Sequence, residues 1–458
     1  MILKKRIYKK KTLKKNFKGK NEKLFIVFLF FCYSSKIISQ TTDSSKTENF
    51  SLHFQSTLIA QYKPSFKAAY SGDQSLQPES ETQRSFTSTL FAGMRVGKNG
   101  GLFINPEIAY GAALSKAYGV AASSNGETYR VDSVEHLTFT WARVFYSHVF
   151  PLTDETNYQS GDLNILGKNM PTKYFKATVG KISLADFFDI NPYSHDPRSQ
   201  FISWGLMGNG AWDYPADVKG YTPSIVLEYF TQNWEFREAV SLEPLQANGA
   251  EMNWNALQAH GQTFEITHHF NLGKKSGSLR LLGFYNTANM GSYAEALVQK
   301  PINPDVIATR QDGRTKYGLG ISTDLKLNDW VGAWTRLSWS DGNNETWAFT
   351  EIDRSISGGL NFDGKKWHRN NDNIGFAIVA SGLSDVHRRY LAAGGKGFEL
   401  GDGQLNYGLE NLTEIYYMLD VWNNKLKLTG VYQFLNNPGY NQSRGPVSIF
   451  SLRLHLGL

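Results

Sequence analysis

Cysteine is almost missing from the 458 residues: its one occurrence, Cys32, lies near the N-terminus. A disulfide framework and a cysteine-based metal site are therefore excluded. Long apolar runs are missing too: beyond residue 40 nothing approaches the roughly 20 apolar residues that a helix needs to cross a bilayer. No Gly-x-Ser-x-Gly run occurs, which removes the serine nucleophile elbow and argues against an outer-membrane barrel phospholipase. Phosphate-loop and dinucleotide fingerprints are absent in a strand-to-helix context. Asp186 and Asp189 sit three apart in a Phe-rich turn, whereas the carboxylate pair of a glycosidase usually comes from different elements. His268 and His269 are adjacent, so in a strand they point to opposite faces, and His260 is poorly spaced to complete a metal site with either. The expectation is a chain without metal, cofactor or catalysis.

Acid is scarce at one end. Residues 1–40 hold twelve Lys and Arg against a single acid, Glu22, a local balance of +11, so the formal +7 of the whole chain leaves −4 for residues 41–458. The basic character belongs to the leader, and the remainder has no electrostatic reason to bind nucleic acid. That leader has a basic stretch, a short apolar run from Leu24 to Tyr33, then small and polar residues to Gln40. It reads as a secretory signal over 1–39, cut after Ser39. Lipidation at Cys32 is disfavoured because Phe30 and Phe31, not a small residue, precede it. Without the leader the chain carries no thiol, as suits an oxidising compartment.

What the rest has in abundance is aromatics, 14% of the chain with 11 Trp, 23 Tyr and 29 Phe, and glycine, with 42. Together with a negative mean hydropathy, this is the profile of strands that alternate between lipid and water. Phe450, Leu452, Leu454, Leu456 and Leu458 alternate with Ser451, Arg453, His455 and Gly457. Tyr317, Leu319, Ile321, Thr323 and Leu325 alternate with Gly318, Gly320, Ser322, Asp324 and Lys326. Leu426, Leu428, Gly430, Tyr432 and Phe434 form a third such row, and Leu52, Phe54, Leu58 and Tyr62 a fourth, facing away from His53, Gln55, Thr57 and Gln61. Turn-rich connections separate these runs, short ones expected on the periplasmic side and long ones outward. The prediction is an all-β, transmembrane antiparallel β-barrel over 51–458, of 16 strands, preceded by a polar lead over 40–50 that need not be ordered. An amphipathic strand at the extreme C-terminus is also what the barrel-assembly machinery reads. A soluble lectin or adhesin without a pore would alternate too, but it would not need an apolar row ending at Leu458.

The run from Gly180 to Tyr229, GKISLADFFDINPYSHDPRSQFISWGLMGNGAWDYPADVKGYTPSIVLEY, carries Asp186, Phe187, Phe188, Asp189, His195, Asp196, Pro197, Arg198, Trp204, Asn209, Gly210, Trp212, Asp213, Tyr214 and Asp217 in order. It resembles the carbohydrate-selective porin family (OprB type). Tyr390 to Gly403, Glu410 to Tyr417 and Tyr432 to Val447 are similar to further blocks of that family. The resemblance implies a sixteen-stranded barrel in the outer membrane of a Gram-negative bacterium that passes small sugars; a general diffusion porin is the alternative.

Sugar passage needs polar groups that replace shed water, with aromatic faces against the C–H face of the ring. On the inward rows the candidates are Asn105, Glu107, Arg280, Arg336, Glu414 and Arg453. Arg198, Trp204 and Trp212 join them if the Asp186 to Asp217 segment folds into the pore. A plainer account makes the wall charges pair with one another, has Trp212, Tyr214 and Pro215 shape a loop, and pairs Asp196 with Arg198.

Overall fold

The computed structural model describes residues 47–128 and 134–458; the expected signal segment and the lead up to residue 46 lie outside them. Eighteen strands follow in chain order: β1 (Phe50–Lys63), β2 (Glu81–Val96), β3 (Gly100–Gly111), β4 (Val134–Pro151), β5 (Thr156–Gln159), β6 (Lys168–Pro171), β7 (Tyr174–Ile182), β8 (Thr222–Phe230), β9 (Trp234–Leu242), β10 (His260–Leu272), β11 (Lys275–Met290), β12 (Gln311–Lys326), β13 (Val331–Ser340), β14 (Arg354–Asp363), β15 (Asn373–Gly382), β16 (Glu410–Trp422), β17 (Leu426–Asn436) and β18 (Val447–Gly457). All but β5 and β6 form one closed antiparallel barrel of 16 strands, sealed where β1 pairs with β18, Leu58 opposite Leu454 and Tyr62 opposite Phe450.

The period of two sets the wall. On β12 and β13, Tyr317, Leu319, Ile321, Leu337 and Trp339 point outward and are exposed, while Ser322, Asp324, Arg336 and Ser338 are buried inside. On β18, Phe450 and Leu452 face out and Ser451, Arg453 and His455 face in. An exposed apolar row on every second residue is stable only against lipid, and closure leaves no unpaired strand edge in the hydrocarbon. Among the described residues no helix is long and apolar enough to cross a membrane.

Connections differ sharply between the two ends. Residues 97–99, 231–233, 273–274 and 423–425 are tight turns, the last with Asn423 and Asn424 both at positive φ, a conformation asparagine tolerates better than most residues. At the other end, residues 64–80, 183–221, 291–310 and 383–409 are long loops. Short turns mark the periplasmic side and long loops the outside. Helices α1 (Trp204–Met207), α2 (Tyr293–Gln299) and α3 (Asp385–Ala392) all lie in these loops. Ser292 and Ser384 cap α2 and α3, and the rings of Tyr293 and His387 stack at 4.2 Å.

The longest connection, residues 183–221 between β7 and β8, packs inside the barrel. Two wall glycines permit this: a Cβ on Gly320 would stand 2.7 Å from Asn209 Oδ1, and one on Gly332 would run into the Tyr193 ring. Two periplasmic connections are longer: residues 364–372, and residues 152–173, which form the β5/β6 hairpin. The lead is tied down at its end, since Glu48 N–H donates to Gly167 O at 2.8 Å.

Candidate functional site: a loop-narrowed lumen

Four charged wall residues hold the 183–221 loop. Arg336 donates to Asp189 Oδ1 and to Leu206 O, both at 2.9 Å. Arg453 donates to Pro197 O at 2.8 Å and Gln200 O at 2.6 Å. Glu414 accepts from Ile202 N–H at 2.7 Å and Ser203 N–H at 3.0 Å, and Glu265 accepts from Asp189 N–H at 2.7 Å. All four are buried. Each satisfies loop backbone or loop carboxylate that would otherwise be stranded away from water. Phe201 completes the seam, its ring 5.8 Å from Trp334 and 5.0 Å from Tyr416.

With that side filled, a cavity of about 780 Å³ runs along the β2–β4 and β7–β9 side, from Arg95 and Asn99 at the periplasmic turn to Glu127 and Lys219 in the loops. Its most densely hydrogen-bonded polar cluster is built around Arg198. The guanidinium donates to Glu127 Oε1 at 2.9 Å, Gln55 Oε1 at 2.8 Å and Glu107 Oε2 at 3.3 Å. Glu107 also accepts from Thr89 Oγ1 at 2.6 Å and from the Tyr221 hydroxyl at 3.0 Å, and Glu127 from Thr87 Oγ1 at 2.6 Å. Beside it, Arg143 grips Asp186 through two bonds of 2.5 and 2.7 Å, and Lys181 pairs with Asp217 at 3.2 Å. Burial works against both charges of the central pair. It pushes the Glu127 carboxyl up, opposed by Arg198; for Arg198 the Glu127 and Glu107 carboxylates outweigh burial and hold the guanidinium protonated.

Aromatic faces supply the other half. Trp204 stacks on Phe349 with centroids 4.7 Å apart, Phe349 on Tyr214 at 4.6 Å, and all three line the cavity. A rigid charged fork and a flat apolar face on one cavity lining can take the hydroxyls and the C–H face of a sugar ring.

Of the residues named from sequence, Glu107, Arg198 and Trp204 line this cavity together. Arg336, Glu414 and Arg453 point inward but bond to the loop that covers them. Arg280 pairs with Asp324 of the neighbouring strand at 2.6 Å. Asn105 donates to Asn164 Oδ1 at 2.9 Å. Trp212 is buried beside Phe188 and Tyr214. Asp196 accepts the Arg198 backbone N–H at 3.0 Å, leaving the guanidinium to the lumen.

Glu127, Arg143, Asp186 and Tyr221 belong to the site and were not among those candidates. Arg143 follows a β-bulge: Asn105 opposes Arg143 and Pro106 opposes Trp141, leaving Ala142 unpaired. Outward residues run Phe139, Trp141 before it and Val144, Phe150 after it, so alternation counted through the bulge loses its phase. Glu127 and Tyr221 lie in loops, where no periodicity applies.

A closed 16-strand barrel with a lipid-facing exterior and a polar, loop-narrowed lumen is an outer-membrane porin. The chain belongs to the OprB family of carbohydrate-selective porins, whose sequence model matches residues 73–458. It is thus an outer-membrane carbohydrate channel of a Gram-negative bacterium. Among solved structures it is similar to Pseudomonas putida OprB at high pH, with 13% identity, 90% of this chain and 94% of that one covered and a TM-score of 0.68. The outer-membrane channel DcaP of Acinetobacter baumannii matches with 10% identity, 91% and 100% coverage and a TM-score of 0.50. No curated protein sequence matches the chain.

Proposed function

We propose that the channel passes neutral, monosaccharide-sized sugars passively, and that it selects them where Arg198, Glu107 and Glu127 share the cavity lining with Trp204. The observation that carries this reading is Arg198 itself: it lines the cavity while three acceptors fix its orientation. A guanidinium held in this way meets a hydroxyl without reorganising, and the carboxylates around it accept the hydroxyl's proton side. Binding stays weak because the fork already has partners, so a sugar competes for these bonds and leaves again. No bond is made or broken in the solute, and its gradient alone drives passage.

Single channels in planar bilayers test this. Added glucose is expected to interrupt the ion current in a saturable, concentration-dependent way. A current that falls only as bulk conductivity falls would overturn selection at Arg198 and favour a general diffusion porin.

A further inference from the structure

On the periplasmic side of the Arg198 cluster the same cavity changes character. The β5/β6 hairpin folds back onto the barrel mouth, where Arg95 donates to Glu48 O at 2.8 Å and to Gly167 O at 3.3 Å. Glu48 in turn accepts the Gly167 N–H at 2.7 Å. The next residue, Lys168, is paired with Gln159 in the hairpin and lines the cavity, and its ammonium has neither an ion-pair partner nor a hydrogen bond among the described residues. Lys176 of β7 also lines it; its Glu228 partner, at 2.8 Å, is shared with Arg237 at 3.3 Å. Arg237 in turn reaches Glu235 at 2.5 Å and Glu265 at 3.5 Å. Asp162 is the remaining acid on this lining, and it accepts the Leu163 N–H at 2.7 Å. On the cavity lining here, four cations (Arg95, Lys168, Lys176 and Arg237) thus stand against two acids, Asp162 and Glu228. Burial, then the nearby Arg95 and Lys176 cations, brings Lys168 down to about 8, as expected of an ammonium among like charges.

We propose that Arg95, Lys168 and Lys176 form a second solute subsite, one that receives the carboxylate of a sugar acid whose ring has passed the Arg198 cluster. The ammonium of Lys168 supplies the contact the anion completes, Arg95 is prefixed by two carbonyls, and Lys176 adds field. The hairpin positions all of this: Asn164 at its tip accepts from Asn105 of the wall, which sets the distance between the subsite and that cluster. The inference rests on the sugar-channel reading above.

Its test is current block by glucuronate compared with glucose, in the full-length processed protein and in Lys168→Gln. Glucuronate is expected to block at about ten-fold lower concentration than glucose, and Lys168→Gln to remove most of that advantage while leaving glucose block unchanged. The zero-current potential across a KCl gradient is expected to move toward cation preference in the variant, a readout independent of sugar. Equal block by both sugars in the unaltered channel, or a glucuronate advantage that survives Lys168→Gln, overturns the subsite. Failure of glucose itself to act on the current would instead count against the sugar-channel reading.

Discussion

Single charged side chains have two distinct fates inside this barrel. Arg336, Glu414 and Arg453 bond to the backbone of the inserted loop and do not line the cavity. Arg198 has three acceptors of its own but remains on the cavity surface. Replacing it, Arg198→Ala, is expected to weaken glucose block about ten-fold, near the ~1.4 kcal/mol of one charge-assisted contact, and to raise conductance by widening the cavity at that point; titration of the single-channel current checks both. Glu243 in the β9–β10 loop is a different case, buried with both carboxyl oxygens unbonded among the described residues. Burial and the adjacent Asp213 push its carboxyl well up. The folded state then holds a proton that the unfolded chain has released, so stability from this group is complete at acid pH and is lost as pH rises through the folded value. Glu243→Gln should therefore melt higher than the parent at pH 7, with the difference shrinking toward pH 4. A variant that melts lower at pH 7 would contradict this assignment. For Lys168 the sign is set by the neutral form: anion block should weaken as pH rises through about 8, measured by repeating the glucuronate titration.

At the scale of elements, strands and loops differ in how well the sequence discloses them. The outward rows on β12, β17 and β18 are readable because a two-residue period maps directly onto the two faces of a barrel wall. Period two says which face a side chain takes; it says nothing of what stands in front of it. That is why Arg336, Glu414 and Arg453 look like pore lining in the sequence and are loop struts in the fold. The bulge at Ala142 hides Arg143 for the opposite reason, because it breaks the period itself. The inserted loop predicts its own test. Glu414→Ala leaves the Ile202 and Ser203 amides without an acceptor, each costing about 1–3 kcal/mol if no water replaces it. The loop should loosen while the barrel persists, giving larger and noisier single-channel conductance with unchanged strand content by circular dichroism. Unchanged conductance would mean that the loop does not narrow the path.

The whole molecule is asymmetric about its axis. One side of the lumen is filled by the 183–221 loop against β10, β13, β16 and β18. The other, along β2–β4 and β7–β9, is left as the path. The barrel wall provides closure and lipid compatibility, whereas the proposed selectivity lies in the groups that meet at the cavity: Arg198 and Trp204 from the loop, Glu107 from β3, Glu127 from the β3–β4 connection. The 180–229 run signals this loop in the sequence through its resemblance and its density of Phe, Trp and Tyr, but the pairing of Arg198 with Glu127 joins two loops and has no local signature. The most direct measurement of the account is the swelling rate of liposomes carrying the purified channel in glucose against an amino acid of similar size, for the parent and for Arg198→Ala. The account predicts faster swelling in glucose for the parent and nearly equal rates for the variant; equal rates in the parent, or a glucose preference unchanged by the substitution, would contradict it.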